Sequence, residues 1–150
     1  MTDRAERAAT PWWFWVVSVV GVLWSLGGAF DYVMTQTRNA SYLATIPEAL
    51  LAYFYAMPAW LVALWALAVW GGLLGWVLML ARSRFAGPAF LVSLVSMIVN
   101  FGYSVVDGGL TLQAQYMGSA QAYGFTAAVV AGGVFALWLA GLMRKRGVLR

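Results

Sequence analysis

The stretch 58-PAWLVALWALAVWGGLLGWVLMLARSRFAGPAFLVSLVSMIVNFGYSVVDGG-109 decides the fold. No charged residue lies between Pro58 and Arg82, and none between Arg84 and Asp107. Each of these two runs exceeds the roughly 20 apolar residues that a helix needs to cross a bilayer. Arg82-Ser83-Arg84 is all that separates them, and so short a connection makes the two helices antiparallel neighbours. The spans are expected at about 60–81 and 85–106. Gly87-Pro88 falls in the first turn of the latter, where proline is tolerated.

Two further apolar runs complete a bundle. One follows Pro11, covers about 12–30, and opens on Trp12, Trp13 and Trp15, a cluster suited to the headgroup layer. The other covers about 123–143 and ends at Arg144-Lys145-Arg146. The chain of 150 residues is 63% hydrophobic and 9% charged. A soluble domain would carry about a quarter charged residues, so lipid is the expected solvent and all-α the expected class. Four spans use nearly the whole length, which leaves one domain, 1–150. The apolar run after Pro11 is too long and too rich in Trp for a cleaved signal peptide and is read as a true span.

Between the first two spans, Thr45-Ile-Pro-Glu48 has the spacing of a capping box. A helix is therefore expected from Ile46, carrying Tyr53, Phe54 and Tyr55. Unbroken to Ala81 it would be about 54 Å long at 1.5 Å per residue, against a hydrocarbon core of about 30 Å. Pro58 is the natural divider. Two readings stand: a short interfacial helix over about 46–57 on the outer surface, or one long helix kinked at Pro58. Leu110 to Ala122, polar but uncharged, is read as a loop or a short helix folded back.

Basic residues set the orientation. With the N-terminus in the cytoplasm, that side holds Arg4, Arg7, Arg82, Arg84, Arg144, Lys145, Arg146 and Arg150, and the other side holds Arg38 alone. Both termini are thus expected in the cytoplasm of a bacterial inner membrane. The formal charge of +4 is distributed as topology signals beside spans rather than as a basic face, which argues against nucleic acid as a partner.

The chain has no Cys and no His. Thiolate metal sites, thiol nucleophiles and the commonest general base are absent, so neither an enzyme nor a cofactor protein is expected. Asp31, Glu48 and Asp107 are the carboxylates beyond the N-terminal tail, and the topology gathers them on the outer side. Carboxylates at a membrane edge are expensive enough to call for a role. They stand either as the mouth of a solute or ion path or as helix-end groups, with Glu48 as a cap and the aspartates in water or paired with Arg38. Asn100, with Ser93, Ser96 and Ser104 near it on the third span, either bonds to neighbouring helices or lines such a path.

Gly71 and Gly75 form a GxxxG pair, and small residues at that spacing let helices approach closely in lipid. Packing inside the bundle and docking on another chain both fit. Gly132, Ala136 and Ala140 supply a matching surface on the fourth span, and Ala89 and Ser93 another on the third. Trp65 and Trp70 fall near mid-membrane between Trp60 and Trp76, either filling the core or contacting lipid, or else walling a ligand.

Pro58-x-Trp60, Trp65-Ala-Leu-Ala-Val69, Gly71-Gly-x-x-Gly75, the basic turn at Arg82 and Arg84, and Ser93 resemble a largely uncharacterised proteobacterial family of small four-helix integral membrane proteins, some labelled sugar transporters. Pro47-Glu48 and the aromatic segment to Tyr55 extend the resemblance. It implies a shared fold and carries over no catalytic residue.

The leading expectation is a non-enzymatic inner-membrane protein acting through helix packing, as a homo-oligomer or an accessory subunit of a larger complex. The alternative is a small-solute transporter, for instance of a sugar, with Asp31, Glu48, Asn100 and Asp107 near its path.

Overall fold

The structure is a computed structural model that describes residues 10–150. Arg4 and Arg7, counted above toward the orientation, lie outside the described residues. Seven helices occur among the described residues: α1 Trp12–Gln36, α2 Ala40–Leu43, α3 Glu48–Ala56, α4 Ala59–Leu80, α5 Ala86–Val106, α6 Gly109–Met117 and α7 Ser119–Lys145. Of these, α1, α4, α5 and α7 are long and apolar enough to cross a membrane. The fold is an all-α bundle of four membrane helices, with short helices α2 and α3 before the second and α6 before the fourth.

All four prolines mark helix starts. Pro11, Pro47 and Pro58 occupy the N-cap positions of α1, α3 and α4, each with ψ near that of an extended residue (143°, 137° and 147°), and Pro88 lies in the first turn of α5. At a helix start the missing N–H removes no intrahelical bond. Met57 is likewise extended, with ψ 137°, so the backbone breaks between α3 and α4 and does not run on as one kinked helix.

Three local expectations need correction. The capping box does not form: α3 starts at Glu48, its N-cap Pro47 makes no side-chain bond, and the Thr45 hydroxyl donates to the Tyr42 carbonyl instead. Proline disfavours helical geometry in the residue before it, so Ile46 cannot open the helix. The first long helix passes Asp31 and continues to Gln36. The last begins at Ser119, four residues before Tyr123, because Gly118 at φ 88° separates it from α6.

Three helices end alike. After α1, α4 and α7, a residue in the left-handed region (Arg38 at φ 53°, Arg82 at φ 54°, Gly147 at φ 69°) lets the next N–H reach back five residues, as in Asn39 to Met34, Ser83 to Leu78 and Val148 to Met143. This is the Schellman arrangement, which satisfies terminal carbonyls.

The long helices pack in the order α1, α4, α5, α7, with α6 lying against α5 and α7. Small residues set the close approaches: Gly21 of α1 lies against the Trp76 ring, Gly71 against Ser93, and Gly75 against the Phe90 ring. The core gathers at one end, where Phe14, Trp76, Met79, Phe90, Leu139 and Met143 meet Val148 and Leu149. At that same end the Arg82 guanidinium donates to the Thr10 hydroxyl (3.3 Å), the Arg150 N–H donates to the Arg82 carbonyl (2.8 Å), and the Arg84 N–H donates to the Arg150 carbonyl (2.7 Å). The start of α1, the α4–α5 turn and the end of α7 are therefore on one side of the bundle. Asp31, Arg38, Glu48 and Asp107, with α2, α3 and α6, lie at the other.

Candidate functional site

The polar residues of interest collect at the end opposite the basic cluster, where α2 and α3 fold over α1 and α4. Asp31, half-buried on α1, accepts a hydrogen bond of 2.6 Å from the Tyr42 hydroxyl of α2. That bond, with help from burial and from the carboxylate charge, pushes the Tyr42 phenol up to about 12. Tyr55 of α3 donates to the Thr35 carbonyl (3.0 Å), and its ring receives the Arg38 guanidinium 4.3 Å from its centroid. Asp31 and Arg38 thus have Tyr42 and Tyr55 as partners.

An aromatic cluster supports this arrangement. The Tyr32 ring meets Trp65 edge to face at 5.1 Å, and the Phe54 ring lies 6.1 Å from that of Trp65. Such contacts each contribute about 0.5–1.5 kcal/mol beyond simple burial. The α4 tryptophans face different surroundings: Trp60 meets Tyr103, Trp65 the cluster, Trp70 the exterior and Trp76 the core. They do not line one ligand wall.

Glu48 is exposed in the first turn of α3, where a negative charge suits the helix dipole. Asp107 is exposed and C-caps α5, its N–H donating to the Tyr103 carbonyl (2.8 Å). Beside it the Tyr53 hydroxyl is packed against Gly109 and near Ser104. Burial raises the Tyr53 phenol, and the nearby Asp107 charge adds to this. The hydroxyls of Tyr53 and Ser104 are buried without a hydrogen-bond partner.

Asn100 is directed at a neighbouring helix. Its amide donates to the Leu61 carbonyl across the α4–α5 contact (3.1 Å), and two turns away Ser93 donates to the Ala68 carbonyl (2.5 Å). Ser93 and Asn100 of α5 thus fasten two helices together. The geometry brings Asp31 into a specific polar contact, leaves Glu48 and Asp107 exposed, and places Asn100 between α4 and α5.

Of the packing glycines, Gly71 and Gly75 lie in the α4–α5 contact. Gly132 does not join an internal one: open space surrounds the position of its Cβ, and it is Gly133 that abuts Leu94. Tyr42, Tyr55, Thr35 and Trp65 were not marked by the sequence as partners of the polar end. Tyr42 carries no periodic relation to Asp31, so no sequence signal identifies the pair.

No protein-family model, curated protein or solved structure matches the chain.

Proposed function

We propose that this chain is a non-enzymatic protein of a bacterial inner membrane, both ends cytoplasmic, that works by packing its helices against another membrane chain, as a homo-oligomer or an accessory subunit. The supporting observation lies on α7. Ala120, Gly124, Ala128 and Gly132 recur every four residues, all four are exposed, and nothing approaches the Cβ positions of Gly124 and Gly132. Near them Phe125, Val134, Phe135 and Trp138 are also exposed. Small residues at this spacing form the track along which membrane helices associate, because apolar side chains gain little by leaving lipid and close backbone approach supplies the attraction. The equivalent residues of α4, Gly71 and Gly75, are already covered by α5, so they are not free for this use.

The experiment is purification in mild detergent of the native chain and of Gly124→Leu/Gly132→Leu. Both leucines point into open space, so the fold tolerates them. The native chain is expected to run as an assembly of copies or with a copurifying membrane partner, and the variant as a single chain. A native chain that runs alone and recovers no partner from its own membranes removes this reading.

A further inference from the structure

Between the first turns of α5 and the last turns of α7 lies an open groove of about 340 Å³, within the range of about 300–1,000 Å³ typical of ligand sites. Its floor is apolar and built from small and aliphatic residues, among them Gly87 and Leu91 of α5 and Leu137 and Gly141 of α7. Its rim is not apolar: Arg84 and Arg144 border it, and both are exposed. We infer that this groove binds an anionic phospholipid, with an acyl chain along Leu91 and Leu137 and the headgroup phosphate between Arg84 and Arg144.

Charge and depth together select this occupant. Arg84 precedes the first turn of one membrane helix and Arg144 lies in the last turn of another, so both guanidinium groups sit at headgroup level, with the apolar groove running from them toward the membrane interior. The three side-chain carboxylates of the described residues, Asp31, Glu48 and Asp107, are at the opposite end of the bundle. Arg84 has its guanidinium 5.1 Å from the Phe85 ring centroid and Arg144 stands at the end of α7, so a phosphate meets two cations without first displacing a carboxylate side chain of the described residues. Guanidinium groups bind phosphate oxygens through paired N–H donors, which suits a headgroup better than an ammonium does. Basic pockets between membrane helices hold anionic headgroups by the same physics.

The glycines make room for the chain. Nothing lies within 4 Å of the Cβ position at Gly87 or Gly141, so the groove is open at both walls. It is also separate from the α7 track: at about 100° per residue, Gly141 points half a turn away from Gly132. The inference rests on the membrane reading and not on association through α7.

The test is native mass spectrometry of the full chain with phosphatidylglycerol and phosphatidylcholine in equal supply. The native chain is expected to retain phosphatidylglycerol preferentially. Each basic group near an anionic headgroup is worth about fivefold in affinity, so Arg84→Gln/Arg144→Gln should reduce that retention about 25-fold. Lys145→Gln/Arg146→Gln removes the same charge outside the groove and should leave most of it. Gly141→Leu fills the groove with both arginines present and should also release the lipid. It keeps the inference testable if the arginine pair proves necessary for folding. Equal retention of both lipids by the native chain, equal effects of the two charge-removing pairs, or undiminished retention in Gly141→Leu overturns the inference.

Discussion

The ring of Phe90 in α5 lies against the backbone of Gly75 in α4, in the volume that a Cβ at Gly75 would fill. Phe90 is buried and held in turn by Trp76, whose ring centroid is 5.0 Å away. The aromatic pair therefore has no slack through which to admit a larger neighbour. Gly75→Leu is expected to destabilise the protein by about 1–3 kcal/mol through overpacking. Gly28→Leu, where nothing lies within 4 Å of the Cβ position, should leave thermal unfolding in detergent close to that of the native chain. Equal melting of the two variants would contradict the packing described here.

Asn100 offers a smaller effect with a definite sign. Its amide bonds to the Leu61 carbonyl, which belongs to the hydrogen-bonded ladder of α4. Asn100→Leu keeps the branched outline of the side chain and leaves no new buried donor on its partner. The expected loss is about 0.6 kcal/mol and below about 1.7 kcal/mol, the span measured for hydrogen bonds between membrane helices. A loss of several kcal/mol would mean that Asn100 has further partners.

The Tyr42 to Asp31 bond makes a prediction in alkali. With its phenol pushed up to about 12 from the usual 10, Tyr42 binds its proton more tightly in the folded chain than in the unfolded one. The linked stability is fully present below pH 10 and is lost as the pH rises through about 12. Absorbance of tyrosinate should show late-titrating phenols at Tyr42 and Tyr53, with one fewer of them in Tyr42→Phe. In Asp31→Ala the acceptor, and with it the largest cause of the shift, is removed, so Tyr42 should titrate earlier. If Tyr42→Phe leaves the number of late phenols unchanged, the assignment fails.

How much of this was legible beforehand depends on the range over which each feature is determined. Pro11, Pro58 and the Arg82-Ser83-Arg84 turn act within a few residues, and they located the starts of α1 and α4 and the antiparallel pair directly. Thr45 shows where local reading misleads: the capping-box spacing is present, but Pro47 constrains Ile46, and the backbone rule overrides the side-chain one. Gly132-Gly133 shows a rotational limit. Neighbours on a helix point about 100° apart, so which glycine turns inward is fixed by the seating of α7 on α5, which the sequence of α7 alone does not state. Asp31 is the case of tertiary choice, since its partner Tyr42 is brought near by the turn after Gln36 and not by any periodicity.

The segment after α7 acts as a hook that closes the basic end. Gly147, at φ 69°, reverses the chain, Val148 and Leu149 then enter the core beside Phe14 and Met143, and Arg150 bonds through its backbone to both Arg82 and Arg84. Gly147→Ala forces a Cβ into the left-handed region and is expected to cost about 1–2 kcal/mol. Leu149→Ala removes a side chain that is 5% exposed, for which truncations of buried leucine cost about 2–5 kcal/mol. Because the hook fastens the α4–α5 turn, the damage should also be local: trypsin should cut after Arg82 or Arg84 faster in Leu149→Ala than in the native chain, as expected where a local opening becomes easier. Trp12→Ala, on an exposed side chain at the same end, serves as the comparison. Unchanged cleavage in Leu149→Ala alongside a lowered melting temperature would place the contribution of Leu149 in the general core and separate it from the turn.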